Sequence, residues 1–171
     1  KEIVRLAKEK GLSTISITDH DSIDAVEEGL FWSKKYNVEV ITGCEIFTKH
    51  KEQFLHILAY FIDIKDPSIC RSLDKVKKDR LENIQRQIEK IRKNNFYIEE
   101  ARIWEFCKSD IPLYSAYTHA ILNDPRNEQN EVIHKYLSME HANLRFCEDF
   151  LFLGKLLYIP QYIPEAVDVM Q

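Results

Sequence analysis

The run Thr14-Ile15-Ser16-Ile17 constrains this chain most. Short, apolar and β-branched, it suits a buried strand. It passes directly into Thr18-Asp19-His20-Asp21, four polar residues that offer oxygen and nitrogen ligands. A second apolar run, Val38-Glu39-Val40-Ile41-Thr42, ends in Gly43-Cys44-Glu45, and a third, from Phe54 to Phe61, carries His56 within it. Three strand-like runs thus deliver His20, Glu45 and His56 at or near strand ends, where α/β folds build their sites. Imidazole with carboxylate is the ligand mix of a zinc, manganese or iron centre. Each residue taken singly has a plainer reading. A lone His in a strand is usually an ordinary hydrogen-bonded residue, Asp19 or Asp21 would cap the following helix, and Glu45 would be a loop charge. The joint pattern argues for a site.

Helical periodicity fills the gaps. Residues 1–10 place Ile3, Val4, Leu6 and Ala7 among charges, and Gly11 stops them. From Ser22 to Tyr36, Ile23, Val26, Leu30 and Phe31 mark one face, with Glu27, Glu28, Lys34 and Lys35 opposite. Helix, strand, helix and strand with short links predict neighbouring parallel strands, about 13–18, 38–42 and 54–61. Lys49 to Gln53 reads as a polar link, with His50 in solvent. After Asp63 the character changes. Ile69 to Asn94 reads as one long charged helix, followed by helices over 99–108, 115–122 and 131–137, an aromatic stretch over 143–153, and a last helix opened by Pro164.

The order of these motifs resembles the PHP (polymerase and histidinol phosphatase) family, in its branch of small-substrate metal-dependent phosphoesterases. The resemblance is carried by Ala7–Leu12, by Ile15–Asp21, by Val38–Glu45 and by Leu55–Phe61. It implies an α/β fold, a partial PHP-type (β/α) barrel over residues 1–64, with a helical insertion domain over 65–162 and a return helix over 163–171. His20, Glu45 and His56 then correspond to metal ligands, and Asp19 and Asp21 to outer or structural neighbours of those ligands. The family opens with H-x-H on its first strand and closes with a further His and a D-x-H on late strands. This chain begins in what reads as the helix after the first and ends before the last, so it reads as the middle of such a protein.

The resemblance also implies a function: hydrolysis of a small phosphorylated substrate, a nucleotide being one candidate, by water activated on two or three divalent ions (Mn, Zn or Fe). This fragment alone is expected to hydrolyse little. The alternative is a degenerate PHP-like module that binds without catalysis. In the family branch the insert acts as a lid and carries Arg-Pro-His. Here the corresponding stretch is Ala116–Leu122, in which His119 keeps the histidine and the Arg and Pro are gone. Arg80, Arg126 and Lys155 are candidate phosphate contacts, each of which also reads as a solvated surface charge. Phe146, Phe150, Phe152, Tyr158 and Tyr162 could stack a base or form core.

Composition bounds the rest. A chain of 171 residues, 44% hydrophobic and 30% charged, is ordinary globular material. With 28 acidic against 24 basic residues it has no electrostatic footprint for duplex nucleic acid, although metals can still hold a nucleotide's phosphates. Cys44, Cys70, Cys107 and Cys147 form no C-x-x-C and read as the reduced thiols of a cytoplasmic protein. No run reaches membrane-spanning length and no signal peptide is visible. The sequence does not set the oligomeric state.

Overall fold

The computed structural model describes residues 1–170, which form two compact units. The first comprises Lys1–Lys77 and the segment from Ile163 onward; the second is Lys78–Tyr162.

In the first unit, helix α1 (Glu2–Glu9) leads into strand β1 (Thr14–Ile17), helix α2 (Asp24–Tyr36) and strand β2 (Glu39–His50). The β1–α2–β2 crossover brings β1 and β2 together in parallel, as the apolar periodicity predicts. Val4, Ala7, Ile17, Val26, Val38 and Val40 form a core between the two helices and the sheet. Phe31, expected on the core face of α2, is exposed and packs edge-on against Trp32 instead.

Strand β3 (Gln53–Tyr60) departs from the expected parallel arrangement. It returns antiparallel along β2, from His50↔Gln53 to Gly43↔Tyr60. The segment Lys49–Gln53 is therefore not a polar link. It is the tip of a hairpin whose two-residue loop is Lys51-Glu52, with Lys51 at φ 54°. Along β2 the even-numbered residues from Cys44 to Thr48 are buried, and the odd-numbered ones turn to the opposite, more open face. Cys44 and Ile46 pack with Leu73 of helix α3 (Pro67–Glu82) and with Val169 of the short final helix. That helix spans Ala166–Val169, shorter than the sequence suggests.

The second unit is helical and begins within α3, whose first eleven residues belong to the first unit. The expected single helix over 69–94 is two, α3 and α4 (Ile84–Lys93), separated at Asn83. The Asn83 backbone N–H bonds to both Asp79 and Arg80 carbonyls, and its side-chain amide donates to Asp79, so local polar bonding interrupts the regular ladder. Helices α5 (Glu100–Phe106), α6 (Tyr114–Leu122), α7 (Glu131–Leu137) and α8 (Ala142–Phe146) follow, and α8 runs into a π-helical turn over Cys147–Leu151. Ile88, Ile91, Ile103, Ile121, Phe146 and Leu151 are among the residues of their shared core. No helix among the described residues is long and apolar enough to cross a membrane.

Candidate metal centre

The register of the sheet decides which side chains meet. From Thr14↔Glu39 to Ile17↔Thr42 each β1 residue pairs with the one twenty-five positions on. The same offset continues beyond the strand as an isolated bridge, His20↔Glu45. The Glu45 N–H donates to the Asp19 carbonyl (3.1 Å) and the Asp21 N–H donates to the Glu45 carbonyl (2.8 Å), which extends the ladder to the site. On the other edge, Glu45 pairs with Leu58 and Phe47 with His56. Residues two apart on a strand share a face, so Glu45, Phe47 and His56 all lie on the open side of the β2–β3 hairpin. Glu45, expected beyond a strand end, thus sits in the middle of β2.

His20, Glu45 and His56 each offer a ligand atom within 4.8 Å of the other two. His56 Nδ1 lies 2.9 Å from Glu45 Oε1, and His20 Nδ1 lies 3.7 Å from Oε2, so each carboxylate oxygen faces one imidazole. The two rings stand edge to face, with centroids 5.2 Å apart. Both imidazoles are about half exposed, at 49% and 50%, so a ligand can reach them from solvent.

The surroundings fix this geometry. Asp21 is buried, and its carboxylate accepts the Phe47 N–H at 3.0 Å. Neither Asp19 nor Asp21 caps α2: the Asp24 N–H goes to Ser22 Oγ, and Ile23 occupies the cap position without a side-chain bond. Cys44 faces the core beneath the site, and its Sγ donates to the Asp19 carbonyl at 3.6 Å. Burial, reinforced by the Asp21 charge, pushes its thiol up to about 12. Gly43 leaves no room for a side chain, since a Cβ there would meet Ser16 and Thr18 side-chain atoms at 2.7 Å.

The remaining candidates belong to the helical unit. His119 stacks on Phe106, with centroids 5.3 Å apart. Arg126, read from sequence as a phosphate contact, is committed elsewhere. It donates to Asp124 through Nε (2.9 Å) and Nη2 (2.6 Å), pairs with Glu99 through Nη1 (2.7 Å), and covers the Tyr97 ring. Arg80 lies on α3; burial pushes the hydroxyls of half-buried Tyr114 and buried Tyr117 up, and the Arg80 charge opposes this in part. Lys155 is exposed. Phe146 and Phe150 stack on one another within the core, with Phe96 and Tyr136 edge-on, whereas Phe152 is exposed and Tyr158 and Tyr162 are half-buried.

Two imidazoles and a carboxylate make a donor set for a first-row divalent ion. Ligands bonding at about 2.0–2.2 Å stand at most about 4.4 Å apart. The observed 4.8 Å limit exceeds that by a few tenths of an ångström, which side-chain rotation closes. The residues fit a metal. Among the described residues no other group of three such side chains converges.

The PHP domain family matches residues 1–143 of the chain. Over 76 residues the chain is 30% identical to a 5'-3' exoribonuclease of Haemophilus influenzae, covering 44% of this chain and 28% of that protein. Over 52 residues it is 38% identical to an uncharacterized protein of Methanocaldococcus jannaschii, covering 30% of each. Among solved structures it superimposes on a candidate metal-dependent phosphoesterase from Bifidobacterium adolescentis with a TM-score of 0.81 and 19% identity, covering 99% of this chain and 55% of that one. It also superimposes on an amidohydrolase from Chromobacterium violaceum, holding sulfate and no metal, with a TM-score of 0.78 and 14% identity over 98% of this chain and 55% of that one. The chain therefore spans about half the length of these structures and under a third of the curated relatives.

Proposed function

The chain belongs to the PHP domain family, and on that premise we propose that it serves a metal-dependent phosphoesterase acting on a small phosphorylated substrate, with a nucleotide as one candidate. The convergence of His20, Glu45 and His56 carries this reading. His20 and His56 would hold the ion through imidazole nitrogen. Glu45 presents one oxygen to each imidazole and would complete the donor set. When bound, divalent Mn, Zn or Fe supplies an acidified water nucleophile and neutralises charge on the phosphoryl oxygens. The half-exposed imidazoles leave that position open to a substrate of modest size. The net charge of −4 disfavours duplex nucleic acid as that substrate. Four unpaired cysteines support a cytoplasmic setting.

A second reading is a binding module without catalysis. It is favoured by the single three-residue cluster among the described residues, since chemistry on two or three ions needs more ligands. By itself the chain is therefore expected to bind metal weakly and hydrolyse little.

Metal analysis after supplementation with Mn, Zn or Fe tests both readings, alongside turnover of a phosphomonoester by the chain and by its His20→Ala variant. Metal uptake lost in His20→Ala supports the site. Turnover abolished by the same substitution favours the enzyme over the module. A chain that takes up none of the three metals overturns both.

A further inference from the structure

We infer that Phe47 is a positioning residue for His56, and that Asp21 anchors it. The inference rests on the reading of His56 as a metal ligand. Asp21 is 4% exposed and held at φ 50°, a left-handed conformation uncommon for residues other than glycine. Such a conformation persists where the surroundings over-determine it, and two bonds to one strand do so here. The Asp21 N–H donates to the Glu45 carbonyl at 2.8 Å, and its Oδ1 accepts the Phe47 N–H at 3.0 Å. Asp21 thus grips β2 on both sides of Ile46.

The strand segment it grips carries a ligand at one end and an aromatic wall at the other. The Phe47 ring stacks on Phe54, with centroids 5.8 Å apart and planes at 19°. It also lies 4.9 Å from the His56 ring at 40°. His56 is the cross-strand partner of Phe47, and its Nδ1 meets Glu45 at 2.9 Å. A 2.9 Å approach to one carboxylate oxygen does not by itself stop an imidazole swinging about its ring torsion, which is broad and two-fold for histidine. The Phe47 face removes that freedom and keeps Nδ1 aimed at Glu45. Outer partners that orient a ligating histidine commonly govern metal affinity. Here the outer partner is an aromatic ring, held in place through its own backbone by a buried carboxylate.

The test is imidazole NMR on the metal-free chain, followed by zinc titration. The expected wild-type signature is a His56 ring held in one orientation, read as a single set of narrow ring resonances. Phe47→Leu and Asp21→Ala should lose that signature and weaken zinc binding roughly tenfold. Phe47→Tyr keeps the ring and Asp21→Asn keeps the acceptor, so both should stay within twofold of wild type. Ile46→Val, which trims the core in the same strand, should leave signature and affinity unchanged. The inference is overturned if Phe47→Leu keeps the signature and the affinity, or if Asp21→Asn behaves like Asp21→Ala. If His56 responds as stated but not even the wild type binds zinc, the positioning stands and the metal reading falls.

Discussion

The carboxylate of Glu45 stands between two imidazoles, 2.9 Å from His56 Nδ1 through one oxygen and 3.7 Å from His20 Nδ1 through the other. Removing it deprives the cluster of its only negative charge as well as a donor atom. Glu45→Ala should therefore weaken Mn or Zn binding by more than the roughly 10–100-fold that loss of an outer partner costs. Isothermal titration checks this, and a loss below threefold would remove Glu45 from the ligand set.

Gly43 lies two residues before Glu45, between β1 and β3. A methyl group there would press on Ser16 Oγ and Thr18 Cγ2 at 2.7 Å and on the Ala59 carbonyl oxygen at 3.0 Å. The side chains can turn aside, but the carbonyl belongs to the β2–β3 ladder. Gly43→Ala should cost about 1–3 kcal/mol, the usual penalty for overpacking, and should weaken metal binding by shifting β1 from β2. Urea unfolding measures the first effect. An unchanged midpoint would show that the sheet absorbs the methyl group without strain.

Arg126 should matter for stability and not for the metal. Its hydrogen bonds to Asp124 hold that carboxyl below its ordinary 3.8. A carboxyl lowered by folding adds stability above its unfolded value, and that stability is lost as pH falls through the folded one. Arg126→Ala should lower the denaturation midpoint at neutral pH, and the gap from wild type should narrow below about pH 4. Zinc affinity should not change. A gap that widens in acid would contradict this account.

The cysteines should separate into two classes. Burial raises Cys44 to about 12 and Cys147 to about 11, whereas Cys70 and Cys107 are only half-buried. At pH 8 an aromatic disulfide reagent should titrate two thiols quickly and the other two only on unfolding. Because folding raises both values, the stability they contribute is complete below the ordinary 9.0 and is lost as pH rises through about 11 and 12. Stability should therefore fall across the alkaline range. Four fast thiols at pH 8 would mean that the segments around Cys44 and Cys147 open readily.

The parts of this fold that obey one periodicity were legible in the sequence. Thr14–Ile17 and Val38–Thr42 are short, β-branched, largely apolar runs flanking an amphipathic helix, and they predict the parallel β1–β2 pair. The hairpin was hidden because Lys51-Glu52 lacks the Asn-Gly or Asp-Gly signature of a tight turn, and Lys51 takes the left-handed conformation without being glycine. The convergence of His20, Glu45 and His56 could be suspected from three ligand types on three runs. Its agent, the two-sided grip of Asp21 on β2, depends on a backbone angle and a bond between residues far apart in the chain. Phe47 was passed over, although its spacing of two from Glu45 is the signal that could have found it. The pairing of Arg126 with Asp124 and Glu99 is not legible in the sequence, because Glu99 meets it only once the helices pack.

The constant offset between β1 and β2 sets a rule for how this stretch of chain tolerates insertions and deletions. Length changes in the turn after α2 leave the pairing of the two strands intact. Dropping one residue between Glu39 and Cys44 instead swings the Glu45 carboxylate through the sheet to the buried side, since successive residues of a strand point in opposite directions. Sequences diverging from this one should keep the count from Glu39 to Glu45 fixed, and at position 37 a residue that tolerates the left-handed conformation Asn37 adopts at φ 51°.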